Sequence, residues 1–327
     1  MSERAVQRGA RRTVLIALAA NASIAVAKLV AGLMSGSSAM LAESAHSVAD
    51  TMNQVFLWFS LKLGEREADS EHPFGYGKER FFWSFLAAVG IFVAGAGFSL
   101  FEGLQRIFGS SSEQGSYGIA YAVLAFSLIA EGTSLVRAWR QTRSEAKARR
   151  QTYVGFVRAS RDPTTKTVLF EDSAAVVGVL LAFAGVGLHQ ATGNQVYDGI
   201  ASVAIGALLA IIAVTLGRDT RDLLLGEAAT PEERQAIREV LEARPELDRV
   251  LELLTMALAP DRLLVAARID LADGLSTDEV ERASSEIDRE LRERVPGVWQ
   301  VFLDATPRNE RGLTPALPRP DERPATS

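Results

Sequence analysis

Hydrophobic residues divide the chain into a long apolar part and a shorter amphipathic part. The apolar part holds six long segments, at residues 12–34, 38–63, 79–108, 117–140, 167–189 and 195–217. A helix needs about 20 apolar residues to cross a bilayer. Each segment therefore predicts one membrane-spanning helix, since a water-soluble bundle would need polar faces that these segments lack over most of their length.

The connecting segments differ in charge from one side of the membrane to the other. SGSS, GSSSEQGS and HQATGNQ are short and nearly uncharged, whereas basic residues precede the first span and fill the loop between the fourth and fifth. By the positive-inside rule, both termini are cytoplasmic. The pattern predicts a six-span protein of the cell (inner) membrane, N-in and C-in, with residues 1–11 as a cytoplasmic tail and 12–226 as the membrane domain. A signal peptide is the alternative for the first span, but its apolar run continues to Met34.

Shorter elements follow Gly226. In TPEERQAIREVLEA, Thr230 and Glu233 form the pattern of a helix capping box. RVLELLTMALA and RLLVAARIDLA predict a hairpin, Ser276 is expected to cap a second helix that ends near residue 294, and VWQVFLDA predicts a third strand.

The resulting order αββαβ predicts a small α+β domain over residues 227–308. Residues 309–327 are rich in proline and charge and are expected to be disordered.

Composition narrows the chemistry. The net charge is −5, and residues 227–308 carry 19 acidic against 11 basic side chains, which excludes a nucleic-acid-binding surface of the usual basic kind. Cysteine is absent. Any metal must therefore be held by histidine, aspartate, glutamate or backbone oxygen.

The second span carries a polar stripe. Glu43, His46, Asp50 and Asn53 are spaced by three, four and three residues, so their side chains share one face of a helix. A charged side chain in a bilayer costs about 2.5–3.5 kcal/mol on insertion scales and usually faces a bundle interior. The stripe favours a metal or proton site, with His46 and Asp50 as half of a tetrahedral site. Hydrogen bonding between helices is the alternative.

The fifth span begins with Glu171 and Asp172, which are expected to supply the other half of the site. Adjacent carboxylates repel in a low dielectric, and a bound cation would remove the repulsion. Asp172 is the firmer candidate, because Glu171 points about 100° away around the helix. Solvation of both in the headgroup region is the alternative.

Other polar residues lie inside the spans. Asn21 is expected to flank the site, whereas Lys28, Glu102 and Asp198 are expected to pair between helices or to reach the interface. Glu131 fits either role.

Several of these stretches resemble the cation diffusion facilitator family of divalent-metal transporters. NASIAVAKLVAGLMSGSSAMLAESAHSVADTMNQ is similar to the family's first two helices, HPFGYGKER to its lead-in to the third, and YDGIASVAIGALLA to its sixth. The αββαβ tail resembles its metallochaperone-like cytoplasmic dimerisation domain. The resemblance covers about residues 10–307.

The resemblance implies a transport site built from one i, i+4 pair on the second helix and another on the fifth. His46 and Asp50 match the first pair, and Asp172 matches the second position of the other. Val168 stands where many members have histidine, and Glu171 is expected to replace that ligand, as in a branch that carries Glu-Asp here. With a single imidazole, Mn²⁺, Fe²⁺ and Co²⁺ are alternatives to Zn²⁺.

Some members of the family bind an accessory metal in the loop between the second and third helices. Asp69 and His72 lie there, with a structural role as the equal alternative. Because the cytoplasmic domain has no histidine, the multi-histidine regulatory cluster of some relatives cannot form.

The resemblance implies a homodimer without a permanently bound cofactor, whose partners are the lipid bilayer, protons and the transported cation. The hypothesis is Zn²⁺ efflux in exchange for protons by alternating access, with His46 as the protonation switch. An intramembrane metalloenzyme and a transport-inactive scaffold are the rival hypotheses.

Overall fold

A computed structural model describes residues 3–109, 117–148, 151–160 and 162–306. They form two compact units, which divide between Leu225 and Gly226. The predicted disordered tail at 309–327 lies outside the described residues.

The first unit is helical. Its helices are α1 (Glu3–Ser35), α2 (Ser38–Gly64), α3 (Glu79–Gly90), a π-helical segment (Ile91–Gly97), α4 (Phe98–Phe108), α5 (Tyr117–Ala148), α6 (Tyr153–Ala159), α7 (Pro163–Thr192) and α8 (Val196–Leu225). The six predicted segments therefore correspond to α1, α2, the continuous run α3–π–α4, α5, α7 and α8.

Several helix boundaries differ from those predicted from hydrophobicity, and one helix was not predicted. Helix α1 begins at Glu3 rather than at residue 12, so the predicted N-terminal tail is helical from that residue onward. Helix α5 continues to Ala148, eight residues beyond the predicted end, through a segment rich in charged residues. Helix α6 was not predicted, because its seven residues are too few for a periodic pattern; Thr152 caps it by accepting a hydrogen bond from the Gly155 amide.

By length and composition, four helices of the described residues could cross a membrane. They are Glu79–Phe108, Tyr117–Ala148, Thr165–Thr192 and Val196–Leu225, with mean hydropathies from 1.7 to 2.5. The apolar part of α1, Asn21–Ser35, is shorter, and the polar stripe lowers the hydropathy of α2. The architecture is thus that of a multi-pass membrane protein, and the count of six spans remains a prediction.

The turn between α1 and α2 is fixed by a buried aspartate. Gly36 adopts a positive φ of 65°, and Ser37 caps α2 by accepting a hydrogen bond from the Met40 amide. Asp198 of α8 accepts hydrogen bonds from the Ser37 hydroxyl at 2.6 Å and from the Ser38 amide at 2.6 Å. Arg106 lies 3.9 Å from the same carboxylate. Asp198 therefore pairs between helices, as expected.

The second unit contains α9 (Pro231–Glu242), β1 (Leu247–Ala259), β2 (Arg262–Leu271), α10 (Thr277–Arg294) and β3 (Val298–Ala305). This is the predicted αββαβ order. Capping boxes at Thr230 and Ser276 begin the two helices.

The strands of this unit lie in the order β1-β2-β3. Strands β1 and β2 are antiparallel, and β3 runs parallel to β2. Alternate residues of β2 are buried, because the helices cover one face of the sheet; Ile237, Leu241, Ile287 and Leu291 supply the helical part of this core.

Candidate functional site

The polar stripe of α2 is buried within the first unit. Glu43 is 0% exposed, His46 and Asn53 are each 1% exposed, and the Asp50 side chain is 16% exposed. His46 Nδ1 lies 3.4 Å from Asp50 Oδ1. The four side chains share one face of the helix but have different neighbours, so the stripe is not a single cluster.

The acidic pair of α7 contacts two different helices. Glu171 accepts a hydrogen bond of 2.6 Å from Asn53 Nδ2 of α2. Asp172 accepts one of 2.9 Å from the Ser134 hydroxyl of α5. The residue that touches the α2 stripe is therefore Glu171, whereas the sequence had favoured Asp172.

A cavity of about 570 Å³ joins these helices. Its lining includes the polar residues Asn21, Asp50, Asn53, Glu131, Glu171 and Asp172. Val168 also lines it, as do the exposed residues Arg137 and Gln141. The cavity thus reaches from the buried stripe to the surface at the end where α2 finishes and α7 begins.

Several polar atoms of the stripe and of the acidic pair have no hydrogen-bond partner among the described residues. They are both ring nitrogens of His46, Oδ1 of Asp50, Oδ1 of Asn53 and Oε1 of Glu171. Burying such atoms without partners costs about 1–3 kcal/mol each, and more if they are charged. The stripe and the acidic pair therefore hold free ligand atoms that a cation could use.

The ligands are not gathered into a finished metal site. Nowhere in the described ranges do three or more histidine, aspartate or glutamate side chains lie close enough together to hold one metal ion. Asp50 faces the cavity, whereas His46 does not belong to its lining. Binding would require these helices or their side chains to move closer together.

A buried ion network lies next to the stripe. Lys28 of α1 is 0% exposed and donates hydrogen bonds to Glu43 at 3.0 Å and to Glu131 of α5 at 3.1 Å. Gly178 makes room for this network, since a Cβ there would overlap the Glu43 carboxylate. Glu43 is therefore part of an ion pair rather than a free member of the stripe. Sequence periodicity could not reveal the pairing, because it depends on how α1, α2 and α5 pack.

The loop that holds Asp69 and His72 is organised by hydrogen bonds. Asp69 accepts bonds from the amides of Glu71 and His72 and from the Tyr76 hydroxyl at 2.7 Å. The Tyr76 hydrogen bond, assisted by the amides, lowers the pKa of Asp69, and the same bond raises the pKa of Tyr76. His72 Nδ1 lies 3.7 Å from Asp69 and its ring packs on Tyr76. These contacts support the structural role over an accessory metal site.

Comparison with known proteins gives the family of the chain. A family model described as the cation efflux transmembrane domain matches residues 14–225, and a model of the cytoplasmic domain of cation efflux proteins matches residues 229–307. The chain belongs to the cation efflux family. This is the cation diffusion facilitator family that the sequence resembles, and it consists of transporters rather than enzymes.

Relatives of this cation efflux protein include mitochondrial and bacterial members. The mouse protein named proton-coupled zinc antiporter SLC30A9, mitochondrial, is 32% identical over 300 residues, which are 90% of this chain and 53% of the relative. Metal tolerance protein C4 of Arabidopsis thaliana is 33% identical over 260 residues, 80% of this chain and 57% of the relative. The cation-efflux pump FieF of Serratia proteamaculans is 26% identical over 288 residues, 86% of this chain and 88% of the relative.

The cation efflux chain spans about half the length of the mouse relative that it matches. The match covers both units, so the cavity between α2, α5 and α7 lies in the shared part.

Proposed function

We propose that this protein exports a divalent cation, in the first place Zn²⁺, in exchange for protons by alternating access. The observation that carries the proposal is the cavity in which Asp50 and Asn53 of α2 face Glu171 and Asp172 of α7. Membership of the cation efflux family and similarity to proteins such as the mouse zinc antiporter support the same conclusion.

His46, Asp50, Glu171 and Asp172 are the proposed ligands of the cation. His46 lies 3.4 Å from Asp50 and has two ring nitrogens without hydrogen-bond partners. One nitrogen cannot hold a metal and a proton together, so binding and protonation exclude each other. Exchange of metal for protons follows from this competition, with the carboxylates taking part in the same way. Asn53 and Asn21 support the site.

The donor set bears on which metal is carried. A single imidazole beside carboxylates is a harder set than the nitrogen- and sulfur-rich sites that select zinc, and it also suits Mn²⁺, Fe²⁺ or Co²⁺. Zinc is favoured by the similarity to mitochondrial relatives that are named as zinc antiporters. The other three metals are the alternative cargo.

We further propose that two copies of the chain form a homodimer through the second unit, in the inner membrane, with both termini in the cytoplasm. The match to the cytoplasmic domain of the family supports this arrangement. In that orientation the exposed end of the cavity, at Arg137 and Gln141, opens toward the cytoplasm, which is the side from which an exporter loads its cargo.

The proposal is tested in vesicles that contain purified protein and a metal-sensitive dye. Under a proton gradient, wild-type protein should move Zn²⁺, and the flux should fall to background in His46→Ala and Asp50→Ala. Asp222→Ala is the matched control, because Asp222 is an exposed aspartate of α8 whose ion pair among the described residues is with the exposed Arg221. This variant should transport normally.

Repeating the assay with Mn²⁺, Fe²⁺ and Co²⁺ identifies the cargo. If wild-type protein carried none of the four metals, the transport proposal would fail, and the scaffold hypothesis raised by Val168 would be favoured. A flux that did not respond to the proton gradient would refute the exchange mechanism while leaving transport intact.

A further inference from the structure

We propose that Glu131 of α5 is a ligand of the transported cation, and that Lys28 of α1 holds this carboxylate until the divalent cation takes it. The cation would then be held from three helices rather than from α2 and α7 alone. This inference rests on the proposed function and adds two residues to its site.

Glu131 is placed where a third helix meets the cavity. It belongs to the lining that also includes Asp50, Glu171 and Asp172. Ser134, one turn further along the same face of α5, already donates a hydrogen bond to Asp172. Helix α5 therefore presents polar groups to the acidic pair of α7, and Glu131 is the one that can bind a cation.

One position of α7 that lines the cavity supplies no ligand. This position is Val168, which offers no donor atom. Two side chains of the lining are at least nine-tenths buried, and each has an oxygen without a hydrogen-bond partner among the described residues: Oδ1 of Asn53, which is 1% exposed, and Oε1 of Glu171, which is 9% exposed. Divalent cations bound by oxygen take four to six or more donors. A carboxylate from α5 supplies the donor that Val168 does not.

The Lys28 network explains why Glu131, and not Glu43, can change partner. Glu43 is completely buried, lies outside the cavity and fits against the bare backbone at Gly178. The Glu131 side chain is 15% exposed and reaches the cavity. Lys28 keeps Glu43 as its counter-ion when Glu131 turns away, so its buried ammonium is not left alone.

When Glu131 exchanges Lys28 for the transported cation, cation binding changes the contact between α1 and α5. The Lys28–Glu131 ion pair of 3.1 Å joins α1 to α5. A divalent cation that attracts Glu131 weakens this joint, because the negative charge of the carboxylate is then shared between the ammonium and the cation. While no cargo is bound, the Lys28 ammonium neutralises the Glu131 carboxylate in place of the divalent cation.

The test compares Glu131→Gln with Glu145→Gln in the full-length protein in detergent. Glutamine keeps an oxygen that accepts the Lys28 hydrogen bond, so the substitution removes the negative charge and leaves the contact. Glu145 is an exposed glutamate of the same helix that pairs with Gln141. We expect Glu131→Gln to weaken Zn²⁺ binding at least about tenfold and Mn²⁺ binding more strongly, since Mn²⁺ prefers carboxylate oxygen. Glu145→Gln should bind both metals as the wild type does.

Two further variants separate a ligand from a structural residue. Lys28→Met should tighten metal binding by about tenfold at pH 8, because it frees Glu131 and removes a positive charge. Glu131→His should retain Zn²⁺ binding and lose Mn²⁺ binding, since imidazole suits zinc. If Lys28→Met fails to fold, the metal affinities of Glu131→Gln and Glu131→His are sufficient to test whether Glu131 is a ligand.

Wild-type affinity for both metals in Glu131→Gln would overturn the inference. So would an equal loss of both metals accompanied by a lower melting temperature, which is the mark of a structural role. These failures differ from failure of the proposed function, in which wild-type protein itself would carry no cation into vesicles.

Discussion

Replacing Asp198 should loosen the membrane unit at the turn between α1 and α2. The buried carboxylate accepts hydrogen bonds from the Ser37 hydroxyl, the Ser38 amide and the Ser38 hydroxyl, at 2.6, 2.6 and 3.0 Å. It also places a negative charge at the N-terminus of α2, where the helix dipole favours it. Asp198→Ala removes all of these interactions at once.

The expected cost follows from the number and burial of these contacts. Removing one partner from a buried charged network costs about 3–5 kcal/mol. Asp198→Asn should cost less, about 1–2 kcal/mol, because its carbonyl oxygen still accepts a hydrogen bond and the serine hydroxyls can rotate to accept from the amide. For a unit of this size, 1 kcal/mol corresponds to about 2–4 °C in melting temperature, so we expect Asp198→Ala to lower it by about 6 °C or more.

Thermal unfolding in detergent, followed by tryptophan fluorescence, measures this effect. Asp222→Ala in the same helix is the control, since its ion pair with Arg221 is more than half exposed and is worth about 1 kcal/mol at most. If Asp198→Ala melted with the wild type, or if Asp222→Ala lost as much stability, the anchoring role of Asp198 would be refuted.

Two further outcomes are expected. Gly178→Ala should impair folding or transport, because the added methyl group overlaps the Glu43 carboxylate. Gly187→Ala is the control and should be tolerated, because among the described residues the Tyr121 hydroxyl is the one group within 4 Å of the added carbon. Expression level and Zn²⁺ flux are measured for both variants. Asp69→Asn should bring the pKa of Tyr76 back toward about 10, as followed by the phenolate absorbance. Because the pKa of Asp69 is lowered, its hydrogen bonds should persist at neutral pH and be lost only as the pH falls through that lowered value; a wild-type Tyr76 titration in Asp69→Asn would contradict the hydrogen bond.

Local signals in the sequence predict much of the fold. The capping boxes at Thr230 and Ser276 need only residues three apart, and both form as expected. The hairpin at Pro260 and Asp261 also depends on neighbours in sequence. The parallel pairing of β3 with β2 joins residues more than 30 apart, so sequence periodicity indicates the strand but not its partner.

The sequence indicates which residues belong to the candidate site, but it does not indicate which of them contact each other across helices. Spacing alone puts Glu43, His46, Asp50 and Asn53 on one face, yet it cannot show that Lys28 binds Glu43 from another helix. The 100° between Glu171 and Asp172 was also known, but which of them faces α2 depends on how α7 is rotated in the bundle. The role of Glu131 stayed open for the same reason.

The π-helical segment at Ile91–Gly97 has a consequence for the register of the third membrane span. From Gly95 within this segment to Ser99 and Gly103 beyond it, small residues recur every four positions and all meet α8, through Leu209, Ser202 and Val203. In a regular α-helix, a four-residue spacing would rotate this row by about 40° at each step. The wider π turn takes up one extra residue. Deleting one residue between 91 and 97 would therefore restore regular α-helix and turn the Ser99–Gly103 edge away from α8, even though every remaining side chain would be native.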